Sequence, residues 1–363
     1  MQTSSSKPNL SINIEDLANF CIEAMLKSGM RREDARVTAD VLVTTDTWGV
    51  YTHGTKQLIN YIARIRAGGM NPQAVPQVVS EGHSWAIMDA RQAMAMVSSS
   101  KAMEIAIAKA AKTGIGYVGV WNSTHFGAAG FYANMAAEQN MVGLAMSNAD
   151  ANMTAPGARF RVIGNNPFAY AAPAGSEKPI VLDIAMSTVA AGKINAAQAR
   201  GLKIPDTWLA DKDGLPTTDP SVYEFSGALL PFGGHKGYGL AVMVEVLGAV
   251  LTGAAVTTDV KSWGLYPGDP TGTGHAFIAI DIAAMMPVEL FKQRMDAMIR
   301  RIKESPKAKG SERIYLPGEM EWERREMALK QGISLPEDVI ANLKRLGEES
   351  GIGLPKFINK SAS

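Results

Sequence analysis

Three of the five histidines stand in glycine-containing stretches that read as turns: His53 in Tyr51-Thr52-His53-Gly54, His125 in Thr124-His125-Phe126-Gly127, and His235 in Gly233-Gly234-His235-Lys236-Gly237. Glycine lets another molecule approach the backbone closely, and imidazole titrates at about 6.5, so such a group can give or take a proton in either direction of a reaction. Any one of these histidines alone is more often structural; three in such settings point to a site. Their spacing fits neither a His-Glu-x-x-His helix nor a Cys/His zinc cluster, so no metal is expected. No Ser or Cys reads as an activated nucleophile, and Cys21 lies within an apolar stripe.

Other polar groups gather at element ends. Gly233 to Gly239 holds four glycines around Lys236 ahead of an apolar run, which suits a phosphate or simply a tight turn. Asp183, followed by Ser187 and Thr188, falls where a strand becomes a helix, as a cap or a ligand contact. Gly164-Asn165-Asn166-Pro167 is a turn dense in amides. Gly114-Ile115-Gly116-Tyr117-Val118-Gly119 matches the dinucleotide fingerprint as text, but it leaves a helix and enters a strand. The phosphate site needs the reverse order, so this copy is set aside.

Positioning these groups requires a particular order of elements. Apolar residues at helical spacing (Leu17, Phe20, Cys21, Ala24; then Val37, Val41, Leu42; then Leu58, Tyr61, Ile62, Ile65) predict three helices in residues 10–75. Residues 76–284 alternate: strands over 85–89, 115–120, 142–147, 168–172, 180–184 and 275–282, with helices over 94–112, 131–140 and 188–200. Residues 285–363 return to helix, with a stripe Val288, Phe291, Met295, Met298, Ile302, and are expected to pack against the first helices. This is an α/β (α+β) chain: a sheet-containing domain flanked by a helical part built from both ends.

Composition bounds the function. Hydrophobic residues make up 46% and charged residues 20%, ordinary for a globular protein, and a net charge of +1 gives no footprint for nucleic acid or an anionic membrane. One cysteine excludes an intrachain disulfide framework, and the polar start Met1 to Leu10 has no apolar signal core, so a cytoplasmic location is expected. Gly239 to Val256 is apolar enough to suggest a membrane span, but Glu245 near its centre favours a helix buried on all sides.

Six motifs in order carry a resemblance: Gly49-Val50-Tyr51-Thr52-His53-Gly54, Thr124-His125-Phe126-Gly127, Ile163 to Pro167, Leu182-Asp183-Ile184-Ala185-Met186, Pro231 to Gly239, and Leu316-Pro317-Gly318-Glu319. From about Ile14 to Arg345 the chain resembles the malate/L-lactate dehydrogenase family of the second, non-Rossmann type. That resemblance implies a homodimer that binds NAD(H) or NADP(H) and a small 2-hydroxy or 2-oxo acid, or a cyclic imino acid. It implies His125 or His53 as acid/base, with His125 preferred. It further implies cofactor contacts at Ser147, Asn148, Asp150, Asp183, Ile184, Ala185, His235, Lys236, Gly318 and Glu319. Gln57, Lys56, Tyr61 and Asn166 are expected at the substrate.

The chain departs from the family where His-Gly-x-x-Arg is usual: here the run is His53-Gly54-Thr55-Lys56-Gln57, and Trp48 stands where arginine is common. Glutamine offers no charged fork for a carboxylate. Either Lys56 substitutes, or the substrate is less anionic or larger than malate. The departure also keeps open a non-catalytic, metabolite-binding relative. Asp150 after the 142–147 strand would repel a 2′-phosphate, an argument for NAD(H), although Arg159 and Arg161 lie nearby.

Overall fold

A computed structural model describes residues 10–359. The N-terminal stretch read above for a signal segment lies outside these residues except for Leu10. A short strand β1 (Leu10–Ile12) precedes α1 (Ile14–Lys27), whose first turn is capped by Asn13 Oδ1 accepting the amides of Glu15 and Asp16. Helices α2 (Arg32–Thr47) and α3 (Leu58–Ala67) follow, with Leu17, Phe20, Cys21, Val41, Leu42 and Leu58 buried as their spacing predicts. Gly68 ends α3 in the left-handed conformation, φ +88°.

The central part begins with β2 (Gln77–Glu81), an exposed edge strand whose sequence has no buried face to announce it. Then come β3 (Trp85–Asp89), α4 (Ala95–Thr113), β4 (Ile115–Ser123), α5 (Ala129–Glu138), β5 (Met141–Ser147), β6 (Phe168–Ala172), β7 (Ile180–Ile184) and α6 (Ala191–Ala199). A small sheet, β8 (Leu209–Ala210), β9 (Pro216–Thr217) and β10 (Ala228–Leu229), encloses a one-turn helix α7 (Val222–Phe225). After α8 (His235–Glu245) and a π-helical turn (Val246–Val250), β11 (Thr273–Asp281) inserts between β4 and β5. The resulting seven-stranded sheet has the order β2-β3-β4-β11-β5-β6-β7, antiparallel except for the β3/β4 pair. This mixed α+β sheet is not the doubly wound parallel arrangement.

Helices α4 and α5 cover one face of the sheet, while α8 and its π turn cover the other. Glycines set the spacing on both faces. A Cβ on Gly116 would lie 2.1 Å from the Ala106 carbonyl oxygen of α4, and one on Gly119 2.6 Å from Thr252 Cγ2. The fingerprint-like glycines are therefore packing residues.

The chain ends come together. β12 (Phe357–Asn359) pairs antiparallel with β1, α10 (Glu319–Gln331) packs on α2, and α11 (Glu337–Ser350) packs on α1 and α3. Helix α9 (Val288–Lys303) departs from expectation. It buries Asp296 and Ile299, while Met298 and Ile302 of its apolar stripe face outward. Asp296 is buried because its carboxylate accepts the amides of Gly175, Ser176 and Glu177. The apolar run from Gly239 also differs from a helix buried all round: Leu240, Val246, Val250 and Leu251 are exposed, Val250 by 61%. Among the described residues no helix is long and apolar enough to cross a membrane.

Candidate active site

Two loops deliver the histidines to one place. After α2, two successive 3-10 turns (Tyr51–His53 and Thr55–Gln57) bend the chain over Asp46, whose Oδ2 accepts the Thr55 amide at 3.1 Å and the Thr55 hydroxyl at 2.5 Å. Gly54 is required there, since a Cβ would stand 1.9 Å from Asp46 Oδ1. After β4, residues 124–128 cross the sheet end with Gly127 at φ +80°, which presents His125 opposite His53. The two imidazole centroids are 5.5 Å apart.

His125 is held from two further sides. The hydroxyl of fully buried Tyr61 lies 2.6 Å from His125 Nδ1, and the Trp263 indole stacks on the imidazole at 4.5 Å with 7° between planes. Nε2 is left without a protein partner among the described residues. Burial, then the neighbouring His53 and His275, hold the His125 pKa well below the usual 6.5, and burial also lowers His53. Both rings are therefore neutral at pH 7, the form that accepts a proton.

The buried Asp46 carboxyl is pushed up to about 7 by burial, against the hydrogen bonds from Thr55. A folded-state pKa above the ordinary 3.8 gives stability that is fully present below 3.8 and lost as pH rises through 7. Asp46→Asn is expected to gain about 4 kcal/mol on the wild type between pH 4 and 7. Urea unfolding at several pH values measures this; a constant difference across the window refutes it.

The histidines stand at one end of a cavity of about 650 Å³, within the usual range for a small-molecule site. Of the residues expected at a substrate, Gln57 and Lys56 line this cavity, whereas Tyr61 and Asn166 lie behind its wall. Gln57 is occupied at both ends: its amide donates to the Thr52 carbonyl at 2.8 Å and its oxygen accepts from Asn60 at 2.7 Å. Lys56 Nζ is 2.6 Å from Asp338 of α11. Asn166 is fully buried, accepting the Ala149 amide and donating to the Ala241 carbonyl and to Glu245.

Of the residues expected at a cofactor, Ser147, Asn148, Asp150, Asp183, Ala185 and Gly318 line the same cavity; Ile184, His235, Lys236 and Glu319 do not. His235 and Lys236 are exposed at the start of α8. Glu319 instead closes the Leu316–Gly318 turn by accepting the Leu316 amide, and it pairs with Lys303 and Arg313. Gly318 has φ +85°, and a Cβ there would lie 2.7 Å from the Val181 carbonyl oxygen. Asp183 opens onto the cavity, where its side chain is exposed, and accepts the Gly130 amide at 2.7 Å.

These walls fit a dinucleotide. Ala190 precedes α6 without any side-chain cap, so first-turn amides of that helix meet the cavity beside Gly192, whereas at the start of α5 the Gly130 amide is taken by Asp183. No arginine lines the cavity among the described residues. Arg161 is committed to the Gly227 and Tyr223 carbonyls and Arg159 lies over Phe160. No group of three or more His, Cys, Asp or Glu among the described residues is placed to hold a metal.

Several contributors escaped the sequence reading. Trp263 and Lys261 line the cavity from a loop with no motif. Glu245 Oε1 accepts from Asn148 at 3.2 Å and from the Thr257 amide at 2.6 Å, and Oε2 accepts from Asn166 at 2.7 Å, tying the walls together. A carboxylate in the middle of an apolar run was the available signal. His275, in β11, lies fully buried between Ser147 and Ser123, 2.8 Å from each hydroxyl.

The comparisons with known proteins give the class as an NAD(P)-dependent oxidoreductase on a non-Rossmann fold. The chain belongs to the malate/L-lactate dehydrogenase family, whose model matches residues 12–344. It is 38% identical over 344 residues to the L-sulfolactate dehydrogenase of Methanocaldococcus jannaschii, covering 95% of this chain and 98% of that one. Its fold is similar to malate dehydrogenase from Entamoeba histolytica (TM-score 0.90, 31% identity, 95% of this chain and 99% of that one). It is also similar to the delta1-piperideine-2-carboxylate reductase of Pseudomonas syringae pvar. tomato (TM-score 0.81, 30% identity, 93% and 99%).

Proposed function

We propose that this protein transfers a hydride between NAD(H) and a 2-hydroxy/2-oxo acid, with His125 exchanging the proton at the substrate oxygen. The observation that carries this reading is the His53–His125 pair lining a cavity of about 650 Å³, with His125 Nε2 free of protein partners among the described residues. The nicotinamide, when bound, supplies or takes the hydride. His125 accepts the hydroxyl proton in oxidation and returns it to the carbonyl oxygen in reduction, while Trp263 and Tyr61 fix its ring. Uncapped amides at the start of α6 suit the pyrophosphate. Asp150 on the wall, and the absence of a lining arginine among the described residues, favour NAD(H) over NADP(H). Lys56 and Lys261 both line the cavity and are the cations available to a substrate carboxylate in place of the lost arginine, each released from its present partner, Asp338 or Asp269. The exposed apolar stretch of α8 and its π turn supports a homodimer.

A second reading is reduction of a cyclic imino acid, with His125 protonating nitrogen. The internally bonded Gln57 is compatible with it, since such a substrate, like a monocarboxylic 2-oxo acid, has one carboxylate to hold. NADH and NADPH oxidation over a panel of 2-oxo acids, dicarboxylates and cyclic imines separates the two. We expect NADH turnover of a monocarboxylic 2-oxo acid, with dicarboxylates poorer by about 10-fold or more. Silence across the panel with NADH still bound would favour a non-catalytic, metabolite-binding relative.

A further inference from the structure

We propose that Arg64 is a positioning residue that holds the Trp263 indole over His125, and so determines how the substrate end of the cavity is closed. This deepens the function proposed above and rests on it only for its catalytic consequence.

Arg64 is 1% exposed, and among the described residues no carboxylate forms an ion pair with it; Asp269 is a favourable neighbouring charge, and Nε is left without a partner. Its guanidinium instead donates to four carbonyls: Nη1 to Trp263 at 2.8 Å and Tyr266 at 3.0 Å, Nη2 to Asp269 at 2.6 Å and Gly69 at 3.2 Å. Three of those acceptors belong to one loop, residues 263–269, which contains no helix or strand of its own. A buried cation costs a great deal unless its donors are satisfied, so this loop is held to the conformation that collects its carbonyls around Arg64. An independent feature points the same way. A Cβ on Gly69 would lie 2.2 Å from the Pro267 carbonyl oxygen and 3.0 Å from Arg64 Nη2, so the loop is seated against the end of α3 without slack.

The geometry carries that constraint to the chemistry. Tyr61 lies one helical turn before Arg64 on α3, bonds His125 Nδ1 and stacks on Trp263 at 5.6 Å. One face of one helix therefore fixes both the imidazole and the indole that covers it. The charged or titratable groups around the stack are His53 at 5.5 Å, Tyr61, buried His275, and Lys261, which pairs with Asp269 at 2.7 Å.

The test uses the full-length protein and reads the His125 ring titration by NMR, its signal identified by loss in His125→Asn. Stripping the indole exposes the imidazole, so Trp263→Ala is expected to raise the His125 inflection by about one pH unit. Arg64→Met is expected to shift it in the same direction, and the double variant no further than Trp263→Ala alone. Arg64→Lys, which keeps a buried donor, is expected to shift it less and carries the test if the methionine variant does not fold. Lower melting temperature with an unmoved titration, or additive shifts in the double variant, overturns the proposal. Because the readout needs no turnover, failure of the panel above and failure of this inference remain distinguishable.

Discussion

Replacing His125 by asparagine is expected to lower kcat/KM by about 10²- to 10⁴-fold while leaving NADH binding within a few-fold of wild type. Asparagine preserves much of the shape beside Trp263 but cannot carry a proton. The pH profile adds a sign. With the imidazole pKa held below 6.5 by burial and by His53, the proton-accepting form persists into mild acid. Alcohol oxidation should therefore stay flat through neutrality and fall only below the ordinary histidine range. Carbonyl reduction, which needs the protonated ring, should rise as pH falls toward that same point. Parallel measurement of His53→Asn decides between the two histidines: if it alone abolishes turnover, the acid/base role moves to His53.

Replacing His275 by alanine is expected to cost about 3–5 kcal/mol of stability at pH 7. The ring lies flat on Phe126 at 4.5 Å and 3°, and both nitrogens are used. Ser147 spends its proton on the Asn148 carbonyl, so the imidazole donates from Nδ1 to Ser147 and accepts at Nε2 from Ser123. Burial, offset in part by a backbone hydrogen bond at Thr124, depresses the pKa to about 3. The folded state then binds fewer protons than the unfolded chain between about 6.5 and 3. Stability from this group is complete above 6.5 and is lost as pH falls, by about 5 kcal/mol in all. Urea unfolding across that window should show a steep acid limb in wild type and a shallower one in His275→Ala. Equal slopes would mean that His275 is not the group that destabilises the fold in acid.

The two histidines illustrate why different parts of this protein differ in legibility. His125 and His53 sit in glycine-containing loops, where local sequence marks close approach. His275 also follows a glycine, Gly274, but it lies in a strand ahead of Ala276, Phe277 and Ile278, and that glycine does not distinguish a packed ring from a functional one. Similar contrasts recur in the fold. Strands over 85–89, 168–172 and 180–184 are found as their apolar runs predict, because burial of those segments is set by side chains within them. The edge strand β2 is exposed along its whole length, and β8 to β10 are two residues each, so neither carries a run long enough to announce a strand.

By itself the sequence determined the helical ends, the alternating centre, the rejected fingerprint and the two loops that present His53 and His125, since helix period, strand burial and glycine turns are local properties. Tertiary structure alone decided that Tyr61 serves His125 from behind the cavity wall, and that Lys56 is drawn away by Asp338. It also decided that Glu319 is spent on its own turn, and that Trp263, 138 positions along the chain from His125 (263 − 125), closes over it. Those outcomes depend on which donors and acceptors the fold brings within 3 Å of one another, and no spacing along the chain encodes that.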